Sequence, residues 1–208
     1  MLIFAALITW CTLLVAARVW RSHSLMHVFL LWNLFLAAVP AIAAIFFMRA
    51  KSTIARSIWF VVWLLFLPNA PYIVTDFIHL AVYPRIPMWF DIALLASFAG
   101  TGLLLCYSSV DDVRATLAQR FGSATSWTIA IAALLLSGFG IYLGRFARLN
   151  SWDALTDPLD LARYISHGAV HPFAHPKTIA VTVIYGVGLV LGYFAYQLPR
   201  LRTNMQSP

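Results

Sequence analysis

The sequence predicts an all-α, polytopic membrane helix bundle of about six crossings, one of them broken at Pro68–Pro71, and three observations carry that reading. The 208 residues are 62% hydrophobic and only 10% charged, where soluble domains carry about 25% charged residues. Apolar runs of about 20 residues, long enough to cross roughly 30 Å of hydrocarbon, recur along the chain. The polar stretches between them, the longest being Ser108 to Ser126 and Arg145 to Lys177, are too short for a separate soluble domain. A single integral membrane domain over residues 1–208 is the expectation.

Apolar content places helices at Leu2 to Trp20, Val28 to Met48, Trp89 to Tyr107, Trp127 to Gly144 and Thr178 to Tyr196, with a sixth, interrupted region at Ile58 to Val82. The first is not a cleavable signal peptide, because no Lys or Arg precedes Arg18. A net charge of +7 comes from basic residues scattered among the loops, which points to a lipid bilayer with anionic headgroups and not to nucleic acid. Cys11 and Cys106 fit no redox or zinc spacing and read as buried small residues. The positive-inside rule gives no orientation: with Ile58 to Val82 as one crossing, the 14 basic residues divide seven to each side.

The interrupted region, LFLPNAPYIVTDFIHLAVY from Leu65 to Tyr83, holds two prolines three residues apart. Each removes a backbone donor and disfavours helical geometry in the residue before it, so the helix must break near Leu67 to Ala70. A new helix can start at Pro71, with Asn69 as its cap. Broken backbone within a bilayer must be buried in protein or face water. Downstream, Tyr72, Asp76, His79 and Tyr83 recur at α-helical spacing, with Thr75 beside them. A polar stripe of this kind faces a helix bundle or water; the plainer reading is a segment that surfaces, with Asp76 in headgroup water.

All seven acids are aspartates, too short to snorkel far. Asp91, in PMWFD, sits in a first helical turn, where the helix dipole alone stabilises it. Facing Asp76, it would make a carboxylate pair able to share a proton, act as acid or base, or hold a divalent cation. Ala96, Ser97, Gly100, Thr101 and Gly102, and the G-x-x-x-G of Gly140 and Gly144, are small-residue faces for close helix packing.

At the end of the fifth run, GIYLGRFARLNSWD places Arg145 and Arg148 three apart. They are either snorkelling anchors or an anion clamp for phosphate or carboxylate. Asn150 or Ser151 can cap the next short helix, Trp152 suits the interface and Asp153 favours a first turn. Asp157-Pro158 starts a further short surface helix. His167, His171 and His175 tempt towards a metal site, but Pro172 and Pro176 break the helix that would align them, so no metal is assigned there. Val110 to Phe121 reads as a loop helix.

LFLPNAPYIVTD, WFD and GFGIYLGRFARLNSWD, together with LWNLFLA-x-x-P in the second helix, resemble a bacterial multi-pass membrane family known as domain of unknown function 1361, over most of the chain from about Leu31. The resemblance implies a bundle of about six membrane helices in a bacterial cytoplasmic membrane, with no assigned reaction or cofactor. It also implies that Pro68, Asn69, Pro71, Tyr72, Thr75, Asp76, Trp89, Asp91, Tyr142, Gly144, Arg145, Arg148, Asn150, Ser151, Trp152 and Asp153 match the family's recurring motifs.

The expectation for function is one polar pocket at a membrane face. Asn69, Tyr72, Arg145, Arg148, Asn150 and Asp153 would hold an anionic, lipid or lipid-linked ligand, and Asp76 and Asp91 would act as proton acceptors or cation ligands. An enzyme and a binding protein both fit. A proton-coupled transporter that uses the broken helix, and an assembly or scaffold protein, are the rival readings.

Overall fold

A computed structural model describes residues 2–81, 85–147, 156, 159 and 176–206. Among these residues the chain is helical, without strands, and contains six helical spans long and apolar enough to cross a membrane: Leu2–Ser22, Phe29–Arg49, Thr53–His79, Met88–Phe121, Ser123–Phe146 and Thr178–Pro199. Large apolar side chains such as Trp10, Trp32, Phe35, Val61 and Leu191 are exposed on them. A lipid solvent allows large apolar side chains to face outward and turns ionisable ones such as Arg18, Asp76 and Asp91 inward.

The chain divides into two compact units, Met1–Val113 and Arg114–Pro208. In the first, α1 (Leu2–Ser22), α2 (Phe29–Arg49) and α3 (Thr53–Phe66) are followed by α4 (Asn69–Tyr72), a 3-10 segment (Ile73–His79) and the start of α5 (Met88–Phe121). The Ser52 hydroxyl accepts from the Ala55 amide at 3.1 Å and caps α3. Phe46 stacks on Trp59 at 4.6 Å, which pairs α2 with α3. Three side-chain links run antiparallel between α1 and α5: Trp10 Nε1 donates to Ser97 Oγ (3.2 Å), Cys11 Sγ meets Thr101 Oγ1 (3.4 Å), and Arg18 pairs with Asp91. The predicted small-residue face of α5 is therefore occupied in part by α1.

The break falls at residues 67–68. Here the Ala70 amide bonds the Leu67 carbonyl, three residues back, instead of the Phe66 carbonyl that an unbroken α-helix would give it. Asn69 Nδ2 donates to that Phe66 oxygen at 3.0 Å. Asn69 thus repairs the end of α3 and does not cap a new helix; the new helix starts at Asn69 itself, with Pro68 preceding it. Behind the break, Gly102 of α5 lies against Ala70. A methyl group on Gly102 would strike the Ala70 carbonyl oxygen and sit 3.3 Å from Ile73 Cδ1.

Helix α5 runs to Phe121, well past the predicted end at Tyr107, and absorbs the predicted loop helix Val110–Phe121. The polar run that marks a loop in the sequence is satisfied within the helix, since Ser108 and Ser109 donate to the carbonyls of Leu105 and Cys106. Val110, Val113 and Leu117 are buried. The helix ends only at Gly122, whose φ of 84° is left-handed and suits glycine.

The second unit contains the end of α5 from Arg114, α6 (Ser123–Tyr142), a π-helical turn (Leu143–Ala147) and α7 (Pro176–Gln206). Gly138 of α6 and Gly186 of α7 bring these two helices into backbone contact. Arg114 Nε donates to the Tyr193 hydroxyl (2.9 Å), as does Gln197 Nε2 (2.9 Å), and the Arg114 guanidinium lies 4.5 Å over the Trp127 ring. Arg114, which lies in the predicted loop helix Val110–Phe121, is instead bonded within this unit.

Candidate functional site

Two buried carboxylates organise the polar end of the first unit. Asp91, in the first turn of α5, accepts from Arg18 of α1 in a bidentate pair: Nε to Oδ1 at 2.7 Å and Nη2 to Oδ2 at 3.0 Å. Both side chains are 1% exposed. Planar guanidinium matches carboxylate in this geometry, and burial at such depth demands the match. Asp76, also 1% exposed, accepts from Asn33 Nδ2 of α2 at 2.8 Å. Its neighbour Thr75 donates to the Tyr72 carbonyl at 2.7 Å.

The backbone explains which predicted residues meet. Ile73–His79 is a 3-10 helix with three residues per turn, so Asp76 and His79 stay in line while Tyr72, four residues before Asp76, falls off their face. Ile73, Thr75 and Asp76 are buried, Tyr72 is half-buried and His79 is exposed. His79 reaches the ring of Phe29 edge-on, at 5.0 Å between centroids. His27, in the link between α1 and α2, lies 6.2 Å from the same ring and is fully buried. Burial, and next the Arg18 cation, hold the His27 imidazole below its ordinary value of 6.5, against the pull of Asp91; His79 adds to the lowering and Asp76 opposes it. His27 thus lies in the field of both carboxylates.

Depth follows from position in the helices. Arg18 is four residues from the end of α1, Asn33 four residues into α2 and Asp91 three residues into α5. At 1.5 Å per residue these are about 5–6 Å from the helix ends, whereas the middle of a 21-residue helix is about 16 Å away. The cluster belongs to one end of the helices.

The sequence leaves Asp91 either held by the helix dipole or facing Asp76 as the second member of a carboxylate pair; in the structure both its oxygens face Arg18. Among the described residues no group of three or more His, Cys, Asp or Glu side chains is placed to hold a metal. Asn69 is half-buried at the break. Arg145 belongs to the second unit, half-buried in the π-helical turn, next to Phe146, whose ring stacks on Tyr142 at 5.7 Å. Tyr83, Arg148, Asn150, Ser151, Trp152, Asp153 and the His167, His171, His175 series lie outside the described residues.

Sequence reasoning missed Arg18, His27 and Asn33. Arg18 entered only as a topological charge, yet a lone cation four residues inside an apolar helix calls for a partner. Asn33 carried the same signal, an amide within an apolar run.

Six apolar spans around buried polar links define a multi-pass α-helical membrane protein. A family model described as "Protein of unknown function (DUF1361)" matches residues 32–191, and the chain belongs to that family. No curated protein and no solved structure matches it.

Proposed function

We propose that the protein binds a ligand at one face of the membrane, an anionic group carried on a lipid or a lipid-linked substrate, with Asp76 as the acceptor of a ligand proton. The observation that supports this reading is the depth of the cluster: the polar groups of the first unit gather about one helical turn from the helix ends, and a carrier site for transport belongs near mid-membrane. Asp76 is the group assigned the chemistry, because an ionisable side chain buried in a membrane span and aimed at protein is a functional residue by default. Asp91 is a positioning group, committed to Arg18. In the second unit, Arg145 with Arg148, Asn150 and Asp153 is proposed as an anion clamp in its own right. The membrane concerned is proposed to be a bacterial cytoplasmic membrane, on the strength of the motif resemblance.

Native mass spectrometry of the protein extracted with its surrounding lipids tests both assignments. Wild type should retain an anionic lipid or lipid-linked molecule. Loss of a hydrogen bond to a charged group should lower retention about tenfold or more in Asp76→Asn and in Arg145→Ala. Unchanged retention in Asp76→Asn overturns its role, and unchanged retention in Arg145→Ala overturns the clamp. Solute uptake into vesicles that stops in Asp76→Asn, with no lipid retained by wild type, would establish transport instead.

A further inference from the structure

The link between α1 and α2 has an unusual burial pattern. His23, Ser24, Leu25, Met26 and Val28 are exposed, whereas His27 is 0% exposed. The link therefore inserts one imidazole into the protein. It is closed by the His23 amide on the Val19 carbonyl (2.8 Å), the Val28 amide on Leu25 (3.0 Å) and the Leu30 amide on His27 (3.2 Å). Charged and titratable groups face the imidazole from each surrounding element: Arg18 from α1, Asp91 from α5, and Asp76 and His79 from the 3-10 segment. The ring of Phe29 in α2 lies 6.2 Å away, tilted by 34°.

We propose that His27 is a pH-sensitive latch, which holds the α1–α2 link closed beside the Arg18–Asp91 ion pair while neutral and releases it when protonated. This goes beyond the ligand-binding reading and does not depend on it. A neutral imidazole tolerates burial. An imidazolium does not, because it loses its hydration and is repelled by Arg18, while Asp91, the stronger of the two compensating charges, is already bound at both oxygens. Outward movement of the link returns the charge to water and frees the end of α1. Since the folded state holds the proton less tightly than the unfolded one, stability is full above about pH 6.5 and declines as pH falls below it. Histidine is the side chain whose ordinary titration lies in this range.

A nitroxide on Leu25→Cys, an exposed position of the link, reports the release by electron paramagnetic resonance in the full-length protein in nanodiscs. Between about pH 7.5 and about pH 5 the mobile component should rise at least about twofold and reversibly. His27→Gln should abolish that response, and His79→Gln should leave it. A pH-invariant spectrum in the parent, an undiminished response in His27→Gln, or a response lost in His79→Gln overturns the proposal. Should His27→Gln fail to fold, imidazole titration by NMR with labelled histidine decides: a midpoint for His27 below 6.5 supports the latch, and one at or above that value overturns it.

Discussion

Arg18→Met should destabilise the protein by about 3–5 kcal/mol, because it leaves the Asp91 carboxylate buried without its guanidinium. Asp91→Leu should cost a similar amount for the converse reason. The double variant Arg18→Met with Asp91→Leu should recover most of the loss, since two apolar side chains in a dry site carry no uncompensated charge. Reversible unfolding in mixed micelles over this double-mutant cycle measures the coupling. Single variants nearly as stable as wild type would mean that water reaches the pair and that it is not a dry, buried one. If the double variant is as unstable as the singles, the side chains contribute through shape rather than charge.

Gly138→Ala should be the most damaging conservative change in the second unit. The added methyl carbon would meet the Thr182 carbonyl oxygen and lie 2.6 Å from the Gly186 amide nitrogen and 2.9 Å from its Cα. These are backbone atoms, so no side chain can rotate away, and α6 and α7 must separate. Overpacking of this kind costs about 1–3 kcal/mol where neighbours yield, and backbone yields least. Gly188→Ala is the control, because nothing lies within 4 Å of the place its methyl group would take; helix propensity then makes that change neutral or stabilising, by about 0.5–1 kcal/mol. Thermal unfolding of the two variants side by side should separate them clearly, and equal midpoints would remove close glycine packing as a source of stability.

The helices and the break were legible in the sequence because bilayer thickness and proline chemistry act locally. Two prolines three apart leave few backbone solutions, and the chain breaks where they fall. The length of α5 was not legible, because Ser108 and Ser109 look like loop residues until their hydroxyls are seen bonding the helix's own carbonyls. The pairing of Asp91 was not legible for a different reason. Its partner lies 73 residues away, and no local pattern distinguishes an arginine that anchors a helix end from one that turns inward. Asp76 stands out in the sequence as an acid within an apolar segment, and it is buried. Its face, however, follows the tighter 3-10 turn of the backbone, which keeps Asp76 in line with His79 and turns it away from Tyr72.

The Arg18–Asp91 pair also bears on the order in which the chain is assembled. Arg18 leaves the ribosome 73 residues before Asp91, so α1 is made before the carboxylate that its guanidinium meets in the folded protein. At about 6 Å from the helix end the guanidinium can reach the headgroups during that interval. Its positive charge is then available to the membrane surface, and is buried once α5 packs against α1. The charge that the nascent first helix carries therefore differs from the one that the finished protein displays.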